Sequence, residues 1–142
     1  MNVLQICYKY PPFFSGYGIQ LRTINKELVK SESINITVIT AYGYKGVSQP
    51  DNGIEVKSIF KRKKEGGLFH YIIFCFFSVI LYFYNFLKAD VVHIVKAGPE
   101  VIIPIFFSKV FNKKVIVKIA QNDLENLLSK DLKTIRKIRK KP

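Results

Sequence analysis

The sequence predicts an α/β fold, a Rossmann-like parallel sheet with helices on both faces. Three observations predict it. Short segments rich in β-branched residues alternate along the chain with longer helical patterns. The short segments read as nearly continuous apolar runs, as strands buried on both faces do. Apolar residues make up 49% of the 142 residues, enough for one folded core and one domain, residues 1–142.

Each element follows from local pattern. Asn2 to Tyr8, NVLQICY, is an apolar run ending before Pro11 and Pro12, as a buried strand would. A loop rich in proline, glycine and aromatics follows, PPFFSGYG. After Gly18, the residues Leu21, Ile24 and Leu28 recur three and four apart, with Arg22, Lys26 and Glu27 between them. That spacing predicts a helix whose buried face carries the three apolar residues. Ile34 to Thr40, INITVIT, predicts a second strand. Tyr42 to Gly53 holds Gly43, Gly46, Pro50 and Asn52 and reads as a loop. Gly53 to Phe60, GIEVKSIF, alternates weakly and predicts a third strand near an edge. Leu68 to Leu87 is one long apolar run. Asp90 to Val95, DVVHIV, predicts a short buried strand. Val101 to Phe111 predicts a helix, apolar almost all round, with Pro104 tolerated in its first turn. Lys114 to Ile119, KVIVKI, predicts a further strand, and Asp123 to Lys141 a basic helix. No internal repeat is present.

Composition narrows the function. Cys7 and Cys75 lie in apolar surroundings without CxxC spacing, so neither a disulfide framework nor a metal site is expected. No charged n-region precedes a long apolar run at the start, so no secretory leader is expected. Asn35-Ile36-Thr37 matches a glycosylation sequon but falls inside a predicted strand. Lys and Arg number 23 against 10 acids, a net charge of +13, which suits a polyanionic partner. Lys130 to Lys141 carries seven basic residues and one acid. No nucleic-acid-binding signature accompanies it, and the aromatics are not interleaved with the charges, so nucleic acid is not the expected partner.

In such folds ligands bind beyond the carboxyl ends of the strands. That places Lys9 to Gly18, Lys96 to Glu100 and Ala120 to Asp123 around one crevice. Gly16-Tyr17-Gly18 follows a strand and opens a helix. Glycines there either admit a ligand phosphate to the backbone and the helix N-terminus, or only make a tight strand-to-helix turn. A dinucleotide fingerprint would need glycine where Leu21 stands and an acid near Ile39 and Thr40. No GxxxxGK[ST] occurs, so neither an NAD site nor a P-loop is read here.

The run NVLQICYKYPPFFSGYGIQLRTINKELVKSESINITVIT resembles the start of glycosyltransferase family 4, retaining enzymes of the GT-B fold. DVVHIV, followed one short helix later by KKVIVKI, is similar to the family's next two strands. The resemblance covers about Met1 to Asn126. It implies the N-terminal, acceptor-side domain of a GT-B enzyme, with the donor-binding domain absent and the fold therefore incomplete. It also implies metal-independent sugar transfer, with the nucleotide-sugar donor as substrate and no separate cofactor. Gly16 and Gly18 match the loop that approaches the donor phosphates, with Tyr17 where the family has a second glycine. Asp123 takes the place of the family's His-Asp-like pair and is the expected catalytic group. Asn122 with Glu125 also fits a helix capping box, and Asp123 a helix first turn. Tyr17, Lys96, Glu100, Gln121 and Asn122 are the expected acceptor contacts. Lys96 would attract a phosphate-bearing acceptor and Glu100 would accept a sugar hydroxyl. The duller account of Lys96 and Glu100 is a solvated charge pair. His93 reads as a packed strand histidine.

Leu68 to Leu87 would span about 30 Å as a helix, enough to cross a bilayer. The strands on either side of it must join one sheet, which spanning forbids. Met1 to Gly67 carries 10 basic and 5 acidic residues, and Lys88 to Pro142 carries 13 and 5, so charge selects no orientation. The expectation is a helix that covers the sheet and presents a peripheral membrane face. Phe69 and Phe76 would enter the interface, and Lys61, Arg62, Lys63 and Lys64 would meet anionic headgroups.

Three readings follow. The chain is the acceptor-side part of a transferase making a polysaccharide or glycolipid at the cytoplasmic membrane face. Alternatively, it is a noncatalytic membrane-anchoring, acceptor-binding subunit that recruits a separate donor-binding chain. The third reading is an inactive gene fragment.

Overall fold

The computed structural model describes residues 1–31, 33–43, 53–61, 66–96 and 98–118. Five strands form one all-parallel sheet: β1 (Asn2–Cys7), β2 (Asn35–Gly43), β3 (Ile54–Lys61), β4 (Val91–Val95) and β5 (Lys114–Lys118). Their spatial order is β3-β2-β1-β4-β5. The helices are α1 (Gly16–Leu28), α2 (Leu68–Phe86) and α3 (Ile102–Val110). The chain steps outward from β1 through β2 to β3, then crosses back and continues on the other side of β1. The expected α/β sheet is present, with β3 at an edge.

Alternation on the strands divides the core into two layers. Leu4 and Ile6 of β1, with Ile39, Val92 and Ile94, pack under α2 through Tyr71, Phe74, Tyr82 and Phe86. Val3 and Cys7, with Ile36, Val38 and Ile54, pack under α1 through Leu21. In register, Ile6 lies between Ile39 of β2 and Ile94 of β4. Burying each large α2 side chain contributes on the order of 1.5–3 kcal/mol.

Several expectations are corrected. The buried face of α1 is Gly18, Leu21 and Asn25, not Leu21, Ile24 and Leu28. Ile24 and Leu28 are 41% and 36% exposed. The cause is a buried amide pair. Gln5 Nε2 donates to Asn25 Oδ1 at 2.8 Å, and Asn25 Nδ2 donates to Gln5 Oε1 at 2.7 Å. Turning Asn25 inward rotates Ile24 and Leu28 off the sheet. Strand β2 runs on through Tyr42 and Gly43, which were expected in a loop, because they pair with Phe60 and Lys61 of β3. A side chain at Gly43 would strike Ser58. The helix expected from Val101 is preceded by a 3-10 turn, Pro99–Val101, and begins at Ile102. Pro104 sits in its first turn, where the missing N–H costs nothing.

Two interactions tie α2 and the turn after it to α3 and to the residue before β5. The Tyr82 hydroxyl donates to the Pro104 carbonyl at 3.1 Å and lies 2.8 Å from the Ser108 hydroxyl oxygen. Burial pushes the Tyr82 phenol upward, and the Ser108 hydrogen bond opposes this. Lys113 Nζ donates to the carbonyls of Phe86 at 2.8 Å and Ala89 at 2.5 Å, placing a positive charge at the negative end of α2.

Candidate functional site

Strand order reverses at β1 and β4: the chain leaves β1 toward β2 on the α1 side, and leaves β4 toward β5 on the α3 side. The gap between the two carboxyl ends is the switch point where parallel sheets open a crevice. Both crevice loops within the described residues meet there. The third, Ala120 to Asp123, with the candidates Gln121, Asn122 and Asp123, lies outside the described residues, as does the basic helix from Asp123 to Lys141.

The first loop is built by its own hydrogen bonds. Tyr8 leaves β1 into a nest of rings. Its centroid is 5.0 Å from both Tyr71 and Phe74, and its hydroxyl is 3.1 Å from that of Tyr42. The Tyr10 N–H donates to Thr40 Oγ1 at 3.2 Å. The chain turns through a cis Pro11–Pro12 peptide and reaches Ser15, the N-cap of α1. Ser15 Oγ accepts the Gly18 N–H at 3.0 Å and donates to the Lys9 carbonyl at 2.9 Å. A Cβ at Gly18 would collide with that carbonyl and with Ser15 Oγ. Gly18 is thus required by the chain's own packing, which is the tight-turn reading. Gly16 is exposed, with nothing within 4 Å of a would-be Cβ. The positive end of the α1 dipole opens here.

The second loop follows β4. Lys96 has φ of 92°, a left-handed conformation costly to a residue with a side chain, on the order of 1–3 kcal/mol. Its N–H donates to the Lys118 carbonyl at 2.8 Å, continuing the β4–β5 ladder while the chain turns. Lys96 is 1% exposed, and its Nζ lies 5.4 Å from the centroid of the Tyr17 ring, a cation–π contact. Glu100 is also buried, and Tyr71 of α2 donates to its Oε2 at 2.5 Å. A Cβ at Gly98 would strike both Glu100 Oε2 and the Tyr71 hydroxyl. The solvated charge pair expected of Lys96 and Glu100 is therefore corrected: both are inside. Each is held by an aromatic residue from another element, Tyr17 and Tyr71.

Neighbouring groups feel this charge. Burial, and secondarily the Glu100 charge, push the Cys75 thiol up to about 11. His93 faces α1, with its Nδ1 3.5 Å from Gln5 Nε2. Burial, and secondarily the Lys118 charge, hold the His93 imidazolium below its ordinary value. Neither Cys7 nor Cys75 forms a disulfide. Among the described residues, no group of three or more His, Cys, Asp or Glu side chains is placed to hold a metal.

The expected membrane-face residues are placed as follows. Phe69 and Phe76 point outward from α2 and are exposed, and Lys61 is exposed at the end of β3. Arg62, Lys63 and Lys64 lie outside the described residues. Sequence reasoning missed Tyr71, because nothing in a continuous apolar run distinguishes the tyrosine that reaches a buried carboxylate.

No protein-family model matches the chain, and no curated protein matches it.

Proposed function

We propose that this domain is the acceptor-side part of a GT-B glycosyltransferase. It would bind a phosphate-bearing, lipid-linked or glycan acceptor at the cytoplasmic face of a membrane. A donor-binding half, on the same chain or a second one, would supply the nucleotide-sugar site. The observation that carries this reading is the meeting of Tyr17 and Lys96 at the switch point, beside the N-terminus of α1. The buried Lys96 ammonium, 5.4 Å from the centroid of the Tyr17 ring, contributes positive potential at this point. The helix dipole adds to that potential. The half-buried Tyr17 ring offers the kind of surface on which a sugar face stacks. Together they suit an anionic sugar derivative. The order of sequence motifs, from the Pro-Pro loop to DVVHIV and KKVIVKI, favours a transferase among proteins with this sheet.

The test is backbone NMR of the chain titrated with a short-chain prenyl diphospho-sugar. Perturbations clustered at Gly16, Tyr17, Lys96 and Glu100 are expected. Saturating ligand that leaves these four signals unmoved would overturn the reading.

A second reading is a noncatalytic subunit that anchors a separate donor-binding chain to the membrane. The exposed apolar surface of α2 favours it. The crevice is shared by both readings, and sugar transfer by a reconstituted two-chain assembly distinguishes them.

A further inference from the structure

We propose that α2 and α3 together form one membrane-docking face that lays the sheet flat on an anionic bilayer. This deepens the membrane reading above, on which it rests, and is independent of the transferase chemistry. It extends the face from one helix to two.

The face is unpartnered within the described residues, and it is large. Phe69, Ile72, Phe76, Phe77, Ile80 and Phe83 point outward from α2, and Phe76 is 65% exposed. Ile102, Ile103, Phe106 and Val110 point outward from α3, and Phe106 is 62% exposed. The helices are joined into one surface. Phe83 and Phe107 have centroids 4.7 Å apart, and Phe86 and Phe111 5.4 Å. Only 22% of the most apolar 18-residue window of α2 is buried, so this is not an enclosed core helix. Nor does it span: Tyr71, Phe74, Ser78, Tyr82 and Phe86 form its opposite stripe and lie on the sheet. A helix held along its length by soluble strands lies in an interface plane.

Charge and polarity select a bilayer over a protein. Across α2, the 3-10 turn and α3 the sole acid is Glu100, which is buried. Exposed lysines flank the two helices along the chain: Lys61 at the end of β3, Lys88 after α2, Lys109 on α3 and Lys114 at the start of β5. Lysines around aromatic and aliphatic side chains match an anionic headgroup layer over acyl chains. A protein partner would need about one hydrogen bond per 100–200 Å². The outward stripes carry few polar groups, chiefly the exposed Tyr84 hydroxyl, while Asn85 is half-buried and bonded to Lys57 and to the Leu81 carbonyl. A second copy would bring the same lysines together in a chain of net charge +13.

The chain contains no tryptophan, so single reporters are clean. Phe76→Trp, Phe106→Trp and, on the opposite sheet face, Ile24→Trp would each be mixed with vesicles of phosphatidylglycerol and phosphatidylcholine. The expected result is a blue shift and quenching by brominated lipid at positions 76 and 106, and neither at 24. Phe106→Asp should weaken partitioning about tenfold, the loss of one buried aromatic. A response at 76 without one at 106 overturns the two-helix face while leaving the single-helix membrane reading standing. No response at either overturns both. An equal response at 24, or a concentration-dependent shift at 76 and 106 without vesicles, also overturns the proposal, the latter in favour of self-association.

Discussion

The Tyr71 hydroxyl donates a 2.5 Å hydrogen bond to Glu100 Oε2 and so ties the first turn of α2 to the turn that follows β4. This couples α2 to the loop after β4. Gly98 makes it possible, since any side chain there would occupy the space of the two oxygens.

Tyr71→Phe leaves a buried carboxylate without that donor. A hydrogen bond to a charged group is worth about 1.5–3 kcal/mol, and the loss should appear at nearly full size because water cannot substitute. Urea unfolding should show a lower midpoint with unchanged slope. A midpoint equal to the wild type's would contradict the geometry.

Cys75 reports the same charge. With its thiol raised from the ordinary 9.0 to about 11, the thiolate fraction at pH 8 falls about 100-fold. In a Cys7→Ala background, iodoacetamide should label folded protein far more slowly than a model thiol. Glu100→Gln should recover part of the rate but not all, because burial is the larger cause. A rate indifferent to Glu100 would place the charge elsewhere.

His93 sets a pH dependence with a definite sign. Its folded value is lowered, so between its ordinary 6.5 and that lower value the unfolded chain binds the extra proton. Its contribution to stability is present above pH 6.5 and is lost as pH falls through that window. Melting temperatures should drop from pH 7 to pH 5, and His93→Gln should flatten the profile. An equally steep profile in the variant would assign the effect to other groups.

Much of the sheet was legible because its strands are short, apolar and β-branched, a pattern with few alternatives. The turn chemistry of PPFFSGYG marked the crevice loop for the same reason. What escaped was tertiary. Asn25 reads as polar surface, yet an unseen partner, Gln5, turns it inward and displaces Ile24. Lys96 was identifiable by its position after a strand. Its burial and left-handed backbone were not, since lysine carries no signal for either. The apolar circumference of residues 101–111 did announce α3's exposed side chains, but it took the neighbouring stripe of α2 to give them a common surface.

The acceptor site is proposed at the Tyr17–Lys96 contact, for an anionic ligand. Calorimetric titration of a short-chain prenyl diphospho-sugar into wild type, Lys96→Asn and Lys30→Asn tests it most directly. Asparagine tolerates the left-handed backbone at 96 and removes the ammonium together with much of the buried aliphatic stem. Lys30 is an exposed residue paired with Glu27 at 2.7 Å, far from the crevice in charge and contact. Binding is expected for wild type and Lys30→Asn, and a loss of roughly tenfold or more for Lys96→Asn at a temperature where its melting curve shows it folded. Equal affinity in all three proteins would contradict it.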